Sequence, residues 1–171
     1  MALHIPLVPH PEHPPHAVAR VEVSADIRRG PSVLAYRVTG RMPQLPAPAL
    51  PERTDGLWRH TCFELFVRPA DGEGYFEYNF SPSTQWAAYR FDGYREGMRD
   101  QLLAAPVIEP LADGIRVQVD LGGLPEGVWH VAITAVIEEA DGAKSYWSVA
   151  HGPGAPDFHA PGGFAIEVPA G

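Results

Sequence analysis

Residues 60–91 read HTCFELFVRPADGEGYFEYNFSPSTQWAAYRF, and the reading of this stretch decides the fold. It divides into three short runs rich in aromatic and β-branched residues, at 60–68, 74–81 and 85–91. Turn-forming residues separate them: Asp71-Gly72-Glu73-Gly74 after the first run and Ser81-Pro82-Ser83 after the second. Short runs joined by turn residues predict three neighbouring antiparallel strands. Working outward, the same signal recurs at 17–25 and 32–40, joined through Gly30-Pro31, and at 104–111 and 114–121, joined by Asp113-Gly114. It appears again at 129–140 and 144–150, joined by Asp141-Gly142, and at 164–168. Asp-Gly between alternating runs is a strong hairpin signal. No segment has the period of a long amphipathic helix and no internal repeat is visible. The expectation is an all-β chain: an antiparallel β-sandwich, jelly-roll-like, of about ten strands.

Residues 1–15 carry five prolines and several histidines. Proline at this density blocks helix and central strand, so an extended arm is expected there, with a single domain over 16–171. Residues 41–56, RMPQLPAPALPERTDG, hold another proline cluster and read as a long loop, either functional or laid over an edge.

The 171 residues suffice for one core. Formal net charge is −8, and the few Lys and Arg residues are not clustered, which argues against nucleic acid and against anionic membrane surfaces. Cys62 is the sole cysteine, so no intrachain disulfide forms. The start, MALHIPLVPHPEHPPH, lacks the basic and apolar regions of a signal peptide, and no run is long and apolar enough for a membrane span. The expected location is the cytoplasm.

Strand parity then assigns faces. In 57-LWRHTCFELF-66, one side carries Trp58, His60, Cys62 and Glu64, and the other Thr61, Phe63 and Leu65. Taking Phe76, Tyr78, Phe80, Tyr89 and Phe91 as core leaves one polar and aromatic surface of Trp58, His60, Cys62, Glu64, Glu77, Asn79, Trp86 and Arg90. In 144-KSYWSVAH-151, Trp147 and His151 share a parity and can add to it. Such a face suits a saccharide, whose C–H faces stack on aromatic rings while its hydroxyls pair with carboxylate, amide and guanidinium groups. The competing structural reading is a half-buried sheet surface covered by the 41–56 loop, with Glu64 paired to Arg90 or His60. A metal can be held by two of His60, Cys62 and Glu64, or by His151, Asp157 and His159, brought together by a loop. A hydrolase can use Glu64 with Glu77 or His60. No nucleophile motif surrounds these carboxylates, so binding without catalysis and without a cofactor is the leading expectation.

Three segments carry a family resemblance: DGLWRHTCFELF at 55–66, YFEYNFSPSTQWAAYRFDGYREGM at 75–98, and YWSVAHGPGAPDFHAPGGF at 146–164. Together they resemble the bacterial DOMON-like domain family, related to the family 9 carbohydrate-binding modules, over roughly residues 16–168. The resemblance implies a jelly-roll sandwich and a site for sugar or haem. In the related modules a sugar end is clamped between two tryptophans beside carboxylate, amide and arginine groups. By that resemblance Trp58 is the first wall, Glu64 the carboxylate, Trp147 the second wall, and Asn79 and Arg90 the hydroxyl partners. For haem, His60, Met42 and Met98 are the available axial ligands.

Overall fold

The structure is a computed structural model and describes residues 2–170. Met1, from the expected arm, and Gly171, from the expected domain, lie outside the described residues. The strands are β1 (Leu3–Pro6), β2 (Val8–Pro9), β3 (Val18–Asp26), β4 (Pro31–Gly40), β5 (Cys62–Pro69), β6 (Tyr75–Phe80) and β7 (Trp86–Phe91). They continue as β8 (Arg99–Asp100), β9 (Val107–Leu111), β10 (Gly114–Asp120), β11 (Gly127–Glu138), β12 (Lys144–Ser148) and β13 (Ile166–Ala170). Two 3-10 turns, Leu57–Arg59 and Pro161–Gly163, are the helical elements among the described residues. None of these helices is long and apolar enough to cross a membrane.

Two antiparallel sheets pack as a sandwich, as the sequence predicts. The first runs β1-β3-β4-β10-β9 and the second β2-β12-β11-β5-β6-β7-β8, with β13 also paired to β11. The sheets bury different numbers of faces. In the first, Val21, Val23 and Ala25 of β3 and Ile115, Val117 and Val119 of β10 point inward, while alternate residues are more exposed. This is the period-2 pattern of a sheet with one wet face. In the second sheet β5 is buried at every position from Cys62 to Val67, and β11 from Val131 to Glu138. Phe63, Leu65, Tyr78, Phe80, Ile133 and Trp147 face the core between the sheets. Phe66, Tyr75, Tyr89, Phe91 and Phe164 form a second apolar cluster on the outer side.

At the β9–β10 hairpin, a Cβ on Gly114 would lie 1.8 Å from the carbonyl oxygen of Tyr36. Glycine is therefore required there by the close approach of β4. The N-terminal residues are more integrated than an arm lying on the surface. β1 pairs with β3 at the edge of the first sheet and β2 with β12 at the edge of the second. Their prolines are tolerated because both are edge strands, where a missing N–H costs no ladder bond.

Candidate functional site

The outer face of the second sheet is set by register. Cys62, Glu64 and Phe66 of β5 stand opposite Val136, Thr134 and Ala132 of β11. On the other side Glu64 stands opposite Asn79 and Phe66 opposite Glu77 of β6, and Glu77 is opposite Tyr89 of β7. Glu64 and Glu77 are thus diagonal neighbours on adjacent strands. A cleft of about 450 Å³ lies over this face. Its floor holds Glu64, Phe66, Glu77, Phe91 and Val136, with Tyr146 of β12 at one side. Trp58 enters from the 57–59 turn, Arg95 and Met98 from the segment after β7, and Pro156, Asp157, Phe158 and His159 from the loop after β12.

Both floor carboxyls are buried, Glu64 at 2% and Glu77 at 5% exposure. Glu64 accepts a hydrogen bond from Thr134 Oγ1 at 2.9 Å. Burial, reinforced by the neighbouring Glu77 charge, holds its carboxyl well above the usual range. With the Asn79 amide assigned so that its nitrogen faces Glu77, that nitrogen donates to Oε1 at 3.3 Å. Burial raises Glu77 to about 7, against the opposing pull of the Asn79 bond and the Arg95 charge.

His159 is wedged among rings, with centroids 5.2 Å from Phe66, 5.6 Å from Tyr75 and 5.1 Å from Phe91. Burial lowers its pKa to about 4, helped by the Arg95 charge, so it is neutral at physiological pH. The backbone N–H of Arg95 donates to the Tyr75 hydroxyl at 3.1 Å, and that hydroxyl lies 2.7 Å from His159 Nδ1. Among the described residues Nδ1 is the one acceptor within reach of the hydroxyl proton, which assigns the imidazole proton to Nε2. Nε2 then faces Glu77 Oε2 at 3.7 Å, beyond direct hydrogen-bond length.

Arg95 adopts a left-handed φ of 54°, rare for a residue with a side chain. Its guanidinium donates to Asp157 Oδ1 at 2.7 Å, and Tyr94 Oη donates to Asp157 Oδ2. Burial pushes the Asp157 carboxyl up, but the bonds from Tyr94 and Arg95 outweigh it and hold the pKa below the usual value. This pair joins the two loops that flank the cleft.

The residues expected from sequence separate into two groups. Trp58 and Glu64 line the cleft together. Trp58 does so from a 3-10 turn opened by Gly56 at φ 75°, so strand parity does not apply to it. Its indole meets Tyr89 edge-on at 6.4 Å. Asn79 lies on the same face, fully buried beneath Glu77. His60 is on the far side of the turn, with Nδ1 3.0 Å from Glu138 Oε2, and does not line the cleft.

Arg90 faces the other side of the sheet, opposite Phe76, and is exposed. Trp86 likewise points to the core side, with the Arg53 guanidinium 4.6 Å over its ring. The face expected for β7 is therefore inverted: Tyr89 and Phe91 belong to the outer face. Trp147 is core as well, because its partner Ala135 stands opposite Phe63, and its Nε1 donates to Ser145 Oγ at 2.8 Å. It is no second wall; Tyr146, one residue before it, lines the cleft. His151 bonds through Nε2 to the carbonyl of Val8 at 2.7 Å, outside the cleft lining. Cys62 is fully buried, and burial raises its thiol well above the usual value, which makes it a packing residue. The 41–56 loop leaves the cleft uncovered: Arg53 donates to Ala88 and Gln101 carbonyls, Ala49 N–H bonds to Ser83, and no loop residue lines the site.

Sequence reasoning missed Arg95, Tyr146 and Phe158 as parts of this site, and named Met98 only as an axial ligand for haem. It named Asp157 and His159 only as metal ligands. Neither expected metal set brings three ligand atoms together. Among the described residues the one such group is His16, Glu139 and Asp141, none of which lines the cleft. The Glu139 carboxylate there is engaged by the backbone N–H groups of His16, Ala17 and Val18 at 2.6–2.7 Å. It brackets the start of β3.

No family model matches the chain, and no curated protein matches it. Among solved structures it is similar to a candidate carbohydrate-binding protein from Bacteroides uniformis, with a TM-score of 0.67 and 14% identity, over 96% of this chain and 84% of that one. It is also similar to a family 9 carbohydrate-binding module from Caldicellulosiruptor kristjanssonii, solved in complex with glucose. That match has a TM-score of 0.50 and 11% identity over 89% of this chain and 76% of the module. At these identities the likeness establishes the shared sandwich fold.

Proposed function

We propose that this chain binds a saccharide in the cleft over β5, β6 and β7, by stacking and hydrogen bonding and without catalysis. The observation that carries the reading is the pairing of a half-exposed indole, Trp58 at 39%, with two buried carboxyls, Glu64 and Glu77, across one cleft of ligand size. The indole offers a flat apolar surface for a sugar C–H face. Tyr146 and Phe158 supply apolar surface from β12 and from the loop after it. The carboxyls accept sugar hydroxyls, and His159 Nε2–H donates to a sugar oxygen within reach of Glu77. The resemblance to DOMON-like domains and the fold shared with carbohydrate-binding modules both support this assignment.

The role of second wall, which the resemblance gives to Trp147, passes to Tyr146 and Phe158. The test is calorimetry against a panel of mono- and oligosaccharides. Trp58→Ala lowers the affinity by about 1–3 kcal/mol if the indole is a stacking hot spot. An unchanged affinity in that variant removes the stacking model.

A further inference from the structure

The charge balance of the cleft names the chemistry of its ligand. Glu64 and Glu77 both line it and both are more than nine-tenths buried. An ionised carboxylate offers about four acceptor positions, so the pair has far more capacity than the chain fills. Glu64 receives one side-chain donor, Thr134, and Glu77 receives Asn79. The imidazole near Glu77 brings no charge.

Arg95 is the sole Lys or Arg lining the cleft, and its guanidinium is committed to Asp157. No Lys or Arg among the described residues forms an ion pair with Glu64 or Glu77. Burial outweighs the Arg95 charge at Glu77 and meets no cation at Glu64, so both carboxyls are raised, and a seated ammonium would supply the charge that favours their ionised form. Around the two carboxyls stand the rings of Trp58, Phe66, Phe91 and Tyr146. Aromatic faces beside carboxylates form the environment that attracts an organic cation.

A sugar hydroxyl brings one donor and no charge. An ammonium brings three donors and the charge that the buried pair lacks. A uronate or a sugar phosphate would add negative charge beside two acids. We propose that the cleft selects a sugar bearing a free, protonated amine, its ammonium seated against Glu64 and Glu77 and its ring against Trp58. The proposal rests on the saccharide reading of this cleft and extends it to a ligand class.

The experiment is isothermal titration of the full chain at pH 7 with glucosamine, glucose, N-acetylglucosamine, glucuronate and ethylamine. Glucosamine should bind roughly tenfold or more tightly than glucose, as one unscreened charge-assisted contact provides. N-acetylglucosamine, which keeps the ring and loses the charge, should fall with glucose or below it, and glucuronate should be weakest. Glu77→Gln should abolish the difference between glucosamine and glucose. Glucose binding as tightly as glucosamine overturns the proposal and leaves the saccharide reading standing. Ethylamine binding that is lost in Glu77→Gln, with no response to any sugar, keeps the ammonium site and removes the saccharide. No response to either amine overturns the proposal.

Discussion

Glu77 and His159 sit side by side and respond to burial in opposite directions. The Glu77 carboxyl ionises at about 7 in the folded chain against an ordinary 4.5. Between those values the folded state keeps a proton that the unfolded state has lost, so its contribution to stability falls as pH rises through the window. His159 ionises at about 4 against an ordinary 6.5. There the unfolded state holds the extra proton, and stability falls as pH falls from 6.5 towards 4. The two slopes oppose each other over the shared range. Other titratable groups around Glu77 are Glu64, Cys62, Arg95, Tyr75 and Tyr89. Comparison of wild type with Glu77→Gln isolates the first slope. The stability difference between them should shift by roughly 3 kcal/mol in favour of the Gln variant between pH 4.5 and pH 8. Urea denaturation at a series of pH values reads this directly, and parallel curves for the two proteins would refute the burial of Glu77.

At the scale of elements, the turns, the hairpins and the faces of β5 and β6 were legible in the sequence, and the faces of β7 and β12 were not. Alternation marks a face only when one side of a strand is wet. β7, WAAYRF, is buried at every position but Arg90, so both of its parities look apolar. β12 places Tyr146 and Trp147 in succession, and only the register with β11 decides which enters the core. That register makes Trp147 a stability residue. Trp147→Ala should cost about 3–5 kcal/mol of folding free energy, seen as a lowered melting temperature. A variant as stable as wild type would contradict its core placement.

The N-terminal strands act on the cleft through a pair of histidines. His10 is buried and donates through Nε2 to Gly154 O at 2.9 Å, while its Nδ1 accepts from the Glu12 N–H. His151 reaches back to Val8 O. These bonds tie β2 to the loop that carries Asp157, Phe158 and His159. His10→Ala should weaken that tie by about 1 kcal/mol, and amides 152–159 should exchange roughly fivefold faster while β5 amides are unchanged. Equal exchange in the loop would show that the strap does not hold the wall.

Across the whole molecule, the sandwich is the part a single sequence specifies best. Its hairpins are local, and its first sheet alternates. The cleft is less legible because it gathers residues from the 57–59 turn, β5, β6, β7, β11, β12 and two loops. Trp58 and Glu64 were singled out because strand parity put them on one face and the family resemblance matched both, although Trp58 reaches the cleft from a 3-10 turn rather than a strand. Arg95 was missed because its role depends on a left-handed backbone and on Asp157, sixty-two positions away.

The four indoles give the most direct test of where the ligand sits. Trp86, Trp129 and Trp147 are buried, and Trp58 alone stands in the cleft. A ¹H–¹⁵N spectrum resolves one indole signal for each, and titration with glucose, glucosamine and short oligosaccharides follows all four at once. The account predicts a saturable shift led by Trp58, with the other three nearly still. A shift led by Trp147, or a Trp58 signal unmoved by every saccharide, would contradict it.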